Sequence, residues 1–340
     1  MPARIEISYK TILFTIFTIL GLWLLWQLKE VIFLLFISLI LVSALHSPVD
    51  WLNSKRVPRA LAIIFVYFVL LILLATVSII IVPALNEQYK SLIQQAPYLI
   101  EQINRFLIFI QIPTEQITTN LSQPFVALGK NLFKITTGAF GTLVGFITLL
   151  VLTFYLLLEW KRVVKLIASP FSGQQEKKIT ALITDIENGL GRWVRGQLTL
   201  SVIVGVLVYI GLTALGVPSA LPLALIAAIF EIVPIIGPIL SAVPGILIAL
   251  TLSPILAVAT AALYFVVQQL ENNLVVPTVM SKAVGVNPLV TIIALMIGAK
   301  LTGIVGVILA VPVVVMVKII IKDLLSPKNL QVEDLEEELV

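Results

Sequence analysis

The sequence predicts an all-α, polytopic helical membrane protein, and three observations carry that class. Of the 340 residues, 59% are hydrophobic and 12% charged, with a mean hydropathy of +1.11, outside the usual range of a water-soluble domain. The apolar residues come in runs near or above the ~20 that cross ~30 Å of hydrocarbon as a helix, not in the alternating strands of a barrel. Two apolar stretches in the C-terminal half are interrupted by proline and glycine, which a membrane tolerates where the freed backbone groups are buried or line a cavity.

The first run, residues 11–28, follows Arg4 and Lys10 and ends at Trp26, Gln27 and Leu28 without a small-residue cleavage pattern, so it reads as an uncleaved helix. Lys29 and Glu30 predict a turn, and residues 31–45 a second helix forming a hairpin with the first. Pro48, after His46 and Ser47, should end that helix. Residues 50–59 form a short charged connector with Lys55, Arg56 and Arg59, and residues 60–82 a third span stopped by Pro83.

Residues 84–138 are more polar, but Leu99, Ile103, Phe106, Leu107 and Ile110 recur at helical spacing, as do Ile117, Leu121, Phe125, Leu128 and Leu132. They predict two amphipathic helices meeting around Pro113 and Thr114, in an extramembrane insert or lying on the bilayer. Residues 139–158 are the fourth span, where Gly141 and Gly145 would allow close helix contact. A basic loop, residues 159–195, follows with Lys161, Arg162, Lys165, Lys177, Lys178, Arg192 and Arg195, and an amphipathic helix marked by Ile179, Leu182, Ile183, Ile186, Leu190 and Trp193. The excess of lysine and arginine puts this loop in the cytoplasm, hence the N-terminus inside and the insert outside.

Residues 198–215 are the fifth span, closed by Gly216, Val217 and Pro218. Residues 220–252 are too many for one straight crossing and are interrupted by Pro234, Gly237, Pro238, Pro244 and Gly245. Residues 254–270 are a regular span, and residues 275–321 return to the interrupted style with Pro277, Gly285, Pro288, Gly298, Gly303, Gly306 and Pro312. The chain thus divides into an N-terminal three-helix region (1–83), the insert (84–138), a C-terminal core (139–322) and an acidic tail (323–340) with Glu333, Asp334, Glu336, Glu337 and Glu338.

The composition excludes much chemistry. With no cysteine there is no thiol nucleophile or disulfide, and the single histidine, His46, builds no multi-histidine metal site. Neither a catalytic constellation nor a cofactor motif is present, and no basic-aromatic stripe suggests a nucleic acid. The absence of G-x-x-x-x-G-K-S/T argues against an ATP-driven pump. A secondary transporter remains, with a non-transporting scaffold as the rival.

Paired helix breaks mark transport sites in several folds, because helix ends and free carbonyls there face the substrate. Here the breaks are expected at Pro234, Gly237 and Pro238, and from Pro277 through Gly285 to Pro288. Glu231 is the sharpest candidate, being the one charge between Arg195 and Glu271. An intramembrane carboxylate is costly unless paired, protonated or hydrated. It could bind a cation or carry a proton, or it could form a structural pair with Arg192 or Arg195. Gln268, Glu271 and Asn272 share a helix face with Tyr264, and with Asn273 they could hydrogen-bond a polar solute or coordinate a cation. Lys300 is expected near the outer end of its segment and Lys282 between two breaks, while His46 and Asp50 read as residues at a helix end.

The ordered set Val194-Arg195-Gly196-Gln197, Gly216-Val217-Pro218, Ile232-Val233-Pro234-Ile235-Ile236-Gly237-Pro238 and Val243-Pro244 resembles the autoinducer-2 exporter family of membrane permeases. So do the continuation Gln268 to Asn273 with Pro277, Asn287-Pro288, Gly298, Gly303, Gly306 and Val311-Pro312, and, near the N-terminus, Pro48-Val49-Asp50. This resemblance covers nearly the whole chain. It implies about eight transmembrane segments in the cell membrane, both termini cytoplasmic, and homo-oligomers. It also implies transport, either of the signalling solute autoinducer-2 or of sodium or lithium against protons.

Overall fold

The computed structural model describes residues 9–109, 139–280, 285 and 287–325, with helices and no strand among them. Six helices in these segments are long and apolar enough to cross a membrane, and four apolar helices are shorter. The second amphipathic run of the insert, Lys282 and the acidic run of the tail lie outside the described residues.

Helix α1 (Tyr9–Gln27) does not fold back onto α2 (Lys29–Ser54). Helical hydrogen bonds run across the junction, from Leu28 N to Leu24 O at 2.9 Å and from Ile32 N to Leu28 O at 3.0 Å. The predicted hairpin is therefore a continuation through Leu28, since Lys29 and Glu30 are good helix formers and neither glycine nor proline interrupts them. Nor does Pro48 end α2, which continues to Ser54 and leaves residues 55–58 as the connector. Proline costs one backbone bond, and here the turn that contains it is held by packing: Val49 is fully buried with Val42, Leu157 and Trp160.

Helix α3 (Arg59–Phe109) also runs through its expected stop at Pro83. Its 51 residues span about 77 Å at 1.5 Å each, so the third span and the first part of the insert are one helix. Helix α4 (Ala139–Ala168) and helix α5 (Gln174–Ala214) likewise extend through most of the predicted basic loop, reducing it to residues 169–173. The amphipathic stretch and the fifth span are one 41-residue helix in which Leu190 and Trp193 are buried. At Gly145 an added Cβ would meet open space, so this glycine mediates no close helix contact.

The predicted interruption of residues 220–252 is real. Helix α6 (Ala220–Phe230) and helix α7 (Ile236–Leu252) are separated by residues 231–235, whereas Pro244 and Gly245 sit inside α7 without breaking it. Helix α8 (Pro254–Leu270) starts with a Ser253 cap, whose side chain accepts from Leu256 N at 3.1 Å, and with proline at its first position.

The second expected break lies further along the chain than Pro277. After α8 the helix widens into a π turn (Glu271–Val275) and continues as α9 (Val276–Met280). Pro277 cannot donate to the carbonyl four residues back, and the wider turn before it takes up that defect. Helix α10 (Pro288–Thr302), capped by Asn287 Oδ1 on Leu289 N at 2.9 Å, pairs with α11 (Ile304–Leu324) around Gly303. The two lie so close that a Cβ on Gly298 would collide with the Gly306 backbone, and one on Gly306 with that of Gly298. Pro312 lies inside α11.

Helix α5 is the organising element. Against it pack α2, α4, α6, α8, α9 and α11. Val204, Val208 and Leu212 of α5 join Leu223 and Ala227 of α6, Ile248 of α7 and Tyr264 and Val267 of α8 in the main core.

Candidate functional site

The site grows out of the break between α6 and α7. Glu231 still donates its N–H to Ala227 O at 3.0 Å, but Ile235 takes φ 71° and ψ −54°, and Ile236 N reaches back to Pro234 O at 2.8 Å. This is a γ-turn at positive φ, a strained conformation for a β-branched residue. Gly237 passes so close to Phe230 that any Cβ would strike its carbonyl, which accounts for glycine there. Pro234 and Pro238 flank the turn, and Ser241 Oγ donates to Pro238 O at 2.9 Å.

A broken helix leaves carbonyls without partners, and in an apolar frame these must be satisfied by side chains. The Glu231 carbonyl is satisfied by the side-chain amide of Gln197, from α5. Both residues are buried, Glu231 at 1% and Gln197 at 3% exposure.

Glu271 comes to the same place from the other side. It is the first residue of the π turn, 4% exposed, and its Oε2 accepts from Gln268 Nε2 at 3.2 Å. Its carboxyl group lies near enough to that of Glu231 for the two to interact electrostatically. Thus Glu231, Gln268 and Glu271 assemble with the turn of Pro234, Gly237 and Pro238. Asn272, Asn273 and Pro277 are exposed, and Asn273 Nδ2 is used on its own helix, donating to Gln269 O at 2.8 Å.

Among the described residues no ion pair joins Arg195 to Glu231. Arg195 is exposed, and its guanidinium lies beside Gly191, one turn back on α5. Lys300 is exposed in the last turn of α10.

A second polar cluster stands inside a helix, not at the helix end that its sequence predicts. His46 and Asp50 lie on one turn of the uninterrupted α2, with Nε2 to Oδ2 at 3.0 Å, and Asp50 Oδ1 takes Arg59 Nη1 at 3.0 Å. His46 Nδ1 pairs with Glu187 Oε1 of α5, and Glu187 Oε2 accepts from Trp160 Nε1 at 2.6 Å. Sequence reasoning also missed Gln197 as part of the site. Its one signal was an amide just inside a long apolar run.

Two neighbouring buried carboxyl groups would be strongly unfavourable if both carried a negative charge. A proton or a cation would relieve that repulsion, and Glu231 stands at the break that carries the strained turn. Fold and site together define a multi-pass helical membrane protein with a buried pair of carboxyl groups.

The comparisons with known proteins agree with that class. The sequence model of the AI-2E family transporters matches residues 12–326, and this chain belongs to that family of membrane transporters. It is 31% identical to YueF of Bacillus subtilis over 294 residues, covering 81% of this chain and 79% of that protein. It is 27% identical over 297 residues to a sodium-lithium/proton antiporter of Halobacillus andaensis, covering 81% and 84%. YhhT of Escherichia coli K12 is 26% identical over 297 residues, covering 85% and 84%.

Proposed function

We propose that the chain is a secondary transporter that exchanges protons for a monovalent cation at the Glu231–Glu271 pair. The observation that carries this reading is the burial of two neighbouring carboxyl groups, one at the break between α6 and α7 and one at the π turn after α8. A pair sharing one proton has one net negative charge, which a single monovalent cation neutralises. A second proton neutralises it equally well, so the two ligands compete for one site. The similarity to a sodium-lithium/proton antiporter supports the same chemistry. In this reading the protein sits in the cell membrane with the residue 169–173 connector and both termini in the cytoplasm.

A neutral, hydroxyl-rich solute of the autoinducer-2 type is the second reading, and it rests on the polar face of α8. That face offers less than its sequence suggests, because the amide of Gln268 is engaged by Glu271 and that of Asn273 by the Gln269 carbonyl. Flux in proteoliposomes of purified protein separates the two. Cation exchange predicts that an imposed sodium or lithium gradient moves protons, whereas solute export predicts solute flux indifferent to those gradients.

A further inference from the structure

Serine and threonine hydroxyls inside helices can bond the carbonyl one turn back. In this chain Thr18, Ser38, Ser43, Ser78, Thr148 and Thr199 all do so, at 2.8 Å. Ser201 and Thr260 depart from this habit. Each is buried, at 7% and 0% exposure, with a hydroxyl that meets no partner. Five further buried oxygens are in the same condition: Thr153 Oγ1 on α4 and Thr302 Oγ1 at the end of α10, and, on the elements around the carboxyl pair, Gln197 Oε1, Glu231 Oε2 and Tyr264 Oη. Unpaired buried polar atoms are few in folded proteins, and each requires a reason.

For those around the carboxyl pair, their positions supply one. Gln197 and Ser201 are one turn apart on α5, so they share a face. Thr260, Tyr264 and Glu271 follow one another at four and seven residues along α8 and the π turn, again on one face. These helices pack against each other, and Gln197 touches residue 231 through its amide nitrogen. The amide nitrogen of that side chain is fixed on the Glu231 backbone carbonyl, while its oxygen and Oε2 of the same Glu231 are both left without a partner. Oxygen atoms that are buried and unpartnered beside a net negative charge are what a hard cation stripped of water requires.

Resting on the exchange reading above, the geometry points to Gln197 as a direct ligand that, with Glu231 and Glu271, binds a dehydrated sodium or lithium ion and discriminates against potassium. Ser201 extends the same oxygen-lined face by one turn. One shared proton leaves the pair with a single negative charge, which selects a monovalent ion over a divalent one. A site of fixed oxygens replaces the hydration shell best for one ion size, and the size and field of the ligands set the preference.

The test is binding of radioactive sodium to the full-length protein in detergent at alkaline pH, with lithium, potassium and calcium as competitors. Lithium should displace sodium at similar concentration and potassium only at about tenfold more or higher, with calcium no better than potassium. Gln197→Leu should weaken sodium binding about tenfold, while Gln197→Glu, which keeps an oxygen and removes the amide donor, should retain it. Equal loss in both variants would show that Gln197 acts only as a donor to the Glu231 carbonyl and would overturn the proposal. Equal displacement by potassium, or displacement by trace calcium, would overturn it also. Should Gln197→Leu fail to fold, Gln197→Met takes its place, and undiminished sodium binding in it would overturn the proposal. The exchange reading fails separately, if the unaltered protein and Glu231→Gln bind sodium equally or not at all. Sodium binding lost in Glu231→Gln but unchanged in Gln197→Leu would leave the exchange reading standing and refute this one.

Discussion

His46 on α2 and Glu187 on α5 are 141 positions apart in the chain and join side chains between the two helices. Both imidazole nitrogens face carboxylates, Asp50 at one side and Glu187 at the other, so the doubly protonated ring satisfies both. Glu187 also holds Trp160 of α4, and one residue ties three helices together.

Removing that residue should cost stability, since it leaves a buried indole N–H and an imidazole without their acceptor. Glu187→Ala is expected to destabilise by about 2–3 kcal/mol, the range for a buried charged group with its hydrogen bonds. Melting in detergent measures it. His46→Ala added to Glu187→Ala should cost less than His46→Ala alone, because the two share one interaction.

Gly237 should tolerate no side chain. Gly237→Ala drives a Cβ into the Phe230 carbonyl, where backbone must shift rather than a flexible side chain. The break between α6 and α7 would move, and with it the carboxyl of Glu231. Transport should fall by an order of magnitude or more while Gly145→Ala, in open space, leaves it unchanged. Initial flux rates in proteoliposomes compare the two.

Topology is open to direct measurement because the chain has no cysteine. A single cysteine at Asn86 should react with an impermeant reagent applied to intact cells, and one at Gln174 only after permeabilisation. The opposite pattern would invert the orientation derived from the lysines and arginines of α4 and α5.

What the sequence made legible was local. The break at Pro234 to Pro238 could be read because a γ-turn, a proline pair and an obligatory glycine all leave their marks within five residues. The prolines at 48 and 83 carried the same signal and meant something else. At Pro48 tertiary packing holds the turn, and only the positions of Val42, Leu157 and Trp160 in space reveal that. Pro277 misled for a related reason, as a π turn absorbs its missing hydrogen bond. Glu231 was conspicuous as a lone charge, and Glu271 as one member of a polar face. Their proximity joins residues 40 positions apart through α7 and α8, which no periodicity encodes. The expected partner, Arg195, is close in sequence to the site yet turns its charge toward Gly191.

The central claim is that the Glu231–Glu271 pair alternates between proton and cation. Its most direct test is sodium-driven proton movement in proteoliposomes containing the unaltered protein, Glu231→Gln or Glu271→Gln, each checked for an unchanged melting profile. Glutamine keeps shape and hydrogen bonding while removing the titratable charge. The account predicts that each substitution abolishes sodium-dependent proton flux in a folded protein. Undiminished coupling in a stable Glu231→Gln protein would contradict it.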